Sequence, residues 1–115
     1  MPYFSLTTAQ VLAPEVETRV IQEAGKAIKD VLGKSEEYLI SVIRPASRVE
    51  LGVEVSPAAW VEFKTLGLSP DSIPDLVARF SELVSRETGI PEEQIYTVCE
   101  DVPRTHWAKG RKTFG

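Results

Sequence analysis

The chain has a single cysteine and a single histidine among its 115 residues, and each scarcity removes a class of function. One thiol, Cys99, cannot close a disulfide within the chain or build a cysteine-based zinc cluster. One imidazole, His106, leaves too few soft ligands for a metal site, and nothing in the spacing around it supports a Ser-His-Asp arrangement. An excess of positive charge is also missing: 13 basic residues stand against 17 acidic ones, for a net charge of −4. The basic residues form no stripe, so nucleic-acid binding is not expected. No apolar run approaches the roughly 20 residues that span a bilayer, and the N-terminus lacks the basic-then-apolar pattern of a secretory signal. A soluble cytoplasmic protein without membrane contact is the expectation. The length suits one domain with one core, spanning residues 1–115.

What is present is a duplication. "LAPEVETRVIQEAGKAIKDVLGKSEEYLISVI", from Leu12, lies without a gap over "LSPDSIPDLVARFSELVSRETGIPEEQIYTVC", from Leu68. Pro14, Gly33, Glu36, Glu37 and Val42 fall on Pro70, Gly89, Glu92, Glu93 and Val98. The apolar helix positions match as well, Val20, Ala24 and Ile28 meeting Leu76, Phe80 and Val84. Two halves, about residues 2–56 and 58–112, should therefore be related by an internal pseudo-two-fold.

Each half reads as strand, helix, strand. "YFSLTT" is aromatic and β-branched, as strands are. Pro14 suits a first helical turn, Glu15 and Glu17 favour the positive end of the dipole, and apolar residues recur at helical spacing to Leu32, where Gly33 stops the helix. "YLISVIR" follows as a strand apolar on both faces. The second half repeats this with "AAWVEFKTL", a helix from about Pro74 to Thr88 before Gly89, and "QIYTVC". Two such units predict an α+β fold: a four-stranded mixed sheet with two helices on one face. The strands are apolar on the other face too, and little is left in the chain to cover it. A homo-oligomer that buries sheet against sheet is expected.

The start of the chain, "MPYF", poses a chemical question. Proline cannot donate to a sheet ladder and is tolerated at a strand start. An initiator Met before a small residue is usually removed, however, which leaves Pro2 with a free secondary amine. Such an amine starts at or above a pKa of about 8, and burial brings it down towards neutrality, where a proton-transfer base is needed.

Taken together, "MP" before an apolar strand, "LGKSEEYLISV", "KTLG", "GIPEEQIYTVCEDV" and a terminal "TFG" resemble the macrophage migration inhibitory factor family of the tautomerase superfamily along the whole chain. The resemblance implies a homotrimer around a central channel, with cofactor-independent active sites between subunits. It implies Pro2 as the general base and acid, and Lys34 as the partner of the carboxylate of a small α-keto acid substrate. Leu66, Tyr96 and Val98 become pocket walls, with Tyr96 contributed by the neighbouring subunit. It also implies that "RVELGVEV" joins a neighbour's sheet. Departures from the family pattern are visible. "AAWV" replaces a Cys-x-x-Cys found in some members, Val98 replaces an asparagine, and "WAKGRKTFG" carries Lys109 where many relatives have a second tryptophan. Two functions follow from the resemblance: a phenylpyruvate tautomerase-like enzyme, or a cytokine-like binding protein with vestigial activity, exported without a signal peptide and recognised by a protein receptor.

Overall fold

Two strand–helix–strand units follow one another in the computed structural model, which describes residues 1–115. The first comprises β1 (Tyr3–Thr8), α1 (Pro14–Leu32) and β2 (Ile40–Pro45); the second comprises β3 (Ala59–Thr65), α2 (Ile73–Thr88) and β4 (Ile95–Asp101). The sheet order is β2-β1-β3-β4. Within each unit the strands are parallel, and the two units meet antiparallel at β1 and β3, with Ser5 opposite Glu62. That antiparallel seam is where the pseudo-two-fold passes.

The helices end alike. Gly33 (φ 67°) and Gly89 (φ 77°) adopt the left-handed conformation, and their N–H groups donate to the carbonyls of Lys29 and Ser85. Glycine takes this conformation without a Cβ penalty and stops the helix there. A single 3-10 turn follows in each half, Glu36–Tyr38 and Glu92–Gln94. The first turn shortens β2 against the expected "YLISVIR": Tyr38 closes the turn, Leu39 packs on the core, and the ladder begins at Ile40.

Strand alternation sends Phe4, Leu6, Val61 and Phe63 towards the helices, where all four are buried. From α1 they meet Val20, Ala24, Ala27 and Ile28; from α2, Leu76, Phe80, Leu83 and Val84. Phe80 is central, with its ring 5.0 Å from Phe4 and 5.6 Å from Phe63. At the surface, Arg19 pairs with Glu87 at 2.7 Å and Arg79 with Asp30 at 3.2 Å, both across the two helices.

The opposite sheet face has no second layer. Ile40 is 46 % exposed, Trp60 41 %, Tyr96 47 % and Val98 46 %. The segment "RVELGVEV" folds back on itself rather than pairing with the sheet: Leu51 donates to the Ser56 carbonyl (2.9 Å) and Ala58 to that of Val49 (3.0 Å). It leaves Val53 and Val55 exposed. After β4 comes a hairpin of two short strands, β5 (Ala108–Lys109) and β6 (Lys112–Thr113), turned by Gly110 (φ 59°) and Arg111. No helix is long and apolar enough to cross a membrane.

Candidate functional site

Pro2 stands immediately before β1, and its carbonyl accepts the N–H of Ile40 at 3.0 Å. The proline ring is buried. Met1, bonded to it, lines a cleft of about 410 Å³ together with Lys34, Leu66, Gly67, Asp101, Val102, Pro103 and Arg104.

Each wall of this cleft has a local cause. Lys34 enters because the helix stop at Gly33 turns the chain back towards the sheet. Its Nζ donates to the Leu66 carbonyl at 2.8 Å; an ammonium has three donors, so two remain for a ligand. Leu66 follows β3 and precedes Gly67, whose φ of 67° makes the turn that exposes the Leu66 carbonyl to the lysine. On the other side, the Val102 N–H donates to the Thr65 carbonyl at 2.9 Å, extending the β3–β4 pairing by one bond. Val102, Pro103 and Arg104 thereby border the cleft. Asp101 accepts the Leu68 N–H at 3.1 Å.

The electrostatics disfavour a proton on an amine in this cleft. The Met1 α-amino group is held below its ordinary value of 8.0, first by burial and then by the positive charges of Lys34 and Arg104. The Cys99 thiol is pushed the opposite way, upwards, by burial alone. It is therefore not an activated thiolate.

Of the residues expected from the sequence, Lys34 and Leu66 come together in this cleft, and Pro2 is bonded to Met1, which lines it. Tyr96 and Val98 do not join them within one chain. Register explains the separation: Pro2 precedes Tyr3, which lies opposite Lys64 near the end of β3, whereas Tyr96 lies opposite Trp60 near its start. Tyr96 instead borders a hollow with Val49, Leu51, Ala58 and Trp60. Four cleft residues, Asp101, Val102, Pro103 and Arg104, carry no assignment from the sequence, where the last strand is taken to end at Cys99. Alternation continues for two more residues, with Glu100 on the open side and Asp101 on the other, and following it would have led to them.

A larger cleft, about 590 Å³, lies between the open sheet face and the C-terminal hairpin, lined by Tyr3, Lys64, Glu100, Val102, His106, Trp107 and Ala108. Its charged groups already satisfy one another. Lys64 pairs with Glu100 at 3.7 Å, and the His106 Nδ1 is hydrogen-bonded to the Thr105 hydroxyl at 2.8 Å. The smaller cleft, with its amine and two cations free of carboxylate partners, is the better candidate for chemistry.

Comparison with solved structures shows the same fold throughout. The macrophage migration inhibitory factor of Toxoplasma gondii superimposes with a TM-score of 0.91 at 23 % identity, covering 97 % of this chain and 99 % of that one. The homologue from Prochlorococcus marinus gives 0.88 at 23 %, covering 98 % and 99 %. A fused 4-OT described as an asymmetric trimer gives 0.84 at 21 %, covering 96 % and 94 %. No curated protein matches the chain in sequence. The sequence profile described as macrophage migration inhibitory factor matches residues 1–115 from end to end, and the chain belongs to that family.

Proposed function

We propose that this protein is a cofactor-independent keto–enol tautomerase of small α-keto acids, working as a homotrimer, with Pro2 as general base and acid once Met1 is removed. The observation that carries the reading is the cleft itself: the head of the chain lies beside an ammonium held at 2.8 Å by the Leu66 carbonyl. Family membership supports it.

In the ketone-to-enol direction, the Pro2 nitrogen takes a proton from the α-carbon. The C–H electron pair becomes the enolate C=C bond, and the carbonyl π pair moves onto oxygen. The prolinium then returns the proton to that oxygen, and the reverse sequence gives the ketone. Lys34 pairs with the substrate carboxylate, and its charge stabilises the developing oxyanion. Leu66 forms one wall. Tyr96 and Val98 complete the pocket from the neighbouring subunit, which the uncovered sheet face brings into contact. The trimeric state described for the fused 4-OT supports that arrangement here.

The test is ultraviolet absorbance of phenylpyruvate enol on Met-free protein. Turnover is expected, and Lys34→Ala lowers kcat/KM by about 10- to 100-fold, mainly through KM, as loss of a charge-assisted carboxylate contact does. A Met-free protein without turnover sinks the reading. Val98, an apolar side chain on the open face, favours the second reading, a trimeric binding protein for a receptor with vestigial activity, and the same assay decides between them.

The oligomer has its own test. Val98→Glu sets a carboxylate opposite Glu62 on the open face, and like charges there should shift sedimentation from trimer to monomer at micromolar concentration. A parent chain that sediments as a monomer contradicts the homotrimer.

A further inference from the structure

Arg104 is a second cation in the cleft that contains Lys34, and a single-carboxylate substrate does not account for it. Its Nε donates to the Phe114 carbonyl at 3.1 Å, which anchors the guanidinium and leaves its terminal nitrogens available. None of the chain's six ion pairs involves Arg104 or Lys34. Asp101, the one carboxylate in the cleft, is engaged by the Leu68 N–H at 3.1 Å and pairs with neither cation. The lining contributed by this chain includes no aromatic side chain.

We infer that Arg104 is a second anion-binding residue of the site and that the preferred substrate is an α-keto dicarboxylate, with Lys34 taking one carboxylate and Arg104 the other. This inference rests on the tautomerase reading of the same cleft. The chemistry follows from the charges. A monoanion leaves one of the two cations without a counter-charge. A dianion neutralises both, and a guanidinium fork matches the second carboxylate with two parallel hydrogen bonds. Both cations also hold down the proton affinity of the Met1 amine, which is bonded to Pro2.

The experiment compares 2-oxoadipate with 2-oxohexanoate, which differ by the distal carboxylate. Exchange of the C3 protons is followed by proton NMR in deuterated buffer on the Met-free protein. The parent should exchange 2-oxoadipate with the higher kcat/KM. Arg104→Ala should lower the dicarboxylate-to-monocarboxylate ratio of kcat/KM about tenfold, mostly through KM, the size of one lost charge-assisted contact. Arg104→Lys should restore part of it. Calorimetric binding of adipate and hexanoate to parent and variant separates the two ideas. If exchange occurs but the ratio is indifferent to Arg104, the dicarboxylate inference is overturned while the tautomerase reading stands. If neither keto acid exchanges yet adipate binds in an Arg104-dependent way, the inference about Arg104 as a dianion-binding residue holds and the tautomerase reading falls. If there is neither exchange nor adipate binding, both are overturned.

Discussion

Pro2→Gly in the Met-free protein should lower tautomerase kcat/KM by about 10²-fold, the lower end of what a positioned general base contributes, because glycine retains a terminal amine in a looser form. The pyrrolidine nitrogen is fixed by a ring buried at the start of β1, whereas a glycine amine can rotate and hydrate. Protein that retains Met1 should be inactive, since the Pro2 nitrogen is then an amide without a basic lone pair. The pH profile carries an independent signature. Catalysis needs the unprotonated amine, so kcat/KM rises with pH through the native pKa and then levels off. Burial, Lys34 and Arg104 lower the Met1 α-amino group from 8.0; the proline amine freed one residue on should meet the same burial and charges, which would set its inflection below that of free proline. Removing a cation, as in Lys34→Ala, moves the inflection upwards. A folded Pro2→Gly variant as active as the parent would falsify the assignment of Pro2.

Phe80→Ala should destabilise the fold by about 3–5 kcal/mol, the usual cost of deleting a buried aromatic and leaving its cavity. Phe80 is fully buried and is the one side chain of α2 whose ring meets aromatic rings from both central strands, Phe4 of β1 and Phe63 of β3. Its counterpart in the other half is Ala24, equally buried, so the duplicated backbone carries its aromatic bulk on one side only and no facing ring can move in to fill the void. Urea unfolding of parent and variant at one fixed protein concentration measures the difference, since oligomerisation would otherwise enter the comparison. A loss below about 1 kcal/mol would mean that the site collapses around the smaller side chain, contrary to the close packing described.

The backbone was largely legible because its signals are local and duplicated. Glycine stops at Gly33 and Gly89, a proline in the first turn of α1 and helical apolar spacing set both helices, and two-sided apolarity of the strands foretold an uncovered sheet face. Strand ends were less legible. Tyr38 belongs to a 3-10 turn rather than β2, and the acidic Glu100 and Asp101 disguised the last residues of β4. The β5–β6 hairpin was read as tail, although the Gly110-Arg111 turn between short strands was its available signal. For the site, Lys34 and Leu66 meet because one follows and the other precedes a glycine turn, at Gly33 and Gly67. Arg104 carried no signal in the sequence because its proximity depends on one bond, Val102 to Thr65, between residues far apart along the chain. Tyr96 and Val98 lie elsewhere in a single chain, because they stand opposite Trp60 and Glu62 on the open face, away from the end of β3 where Lys34 bonds Leu66.

The duplication also bears on stoichiometry. Repeat symmetry relates Pro2 to Ala58 and Lys34 to Ile90. Ala58 has a peptide nitrogen within the chain, its N–H donating to the Val49 carbonyl, and Ile90 is packed into the core. On the proposed reading, a backbone with two equivalent corners therefore carries chemistry at only one of them. An internal repeat can copy a strand, a helix and a glycine stop, but not the amine proposed as the base, so on that reading each polypeptide contributes one site however closely its halves agree.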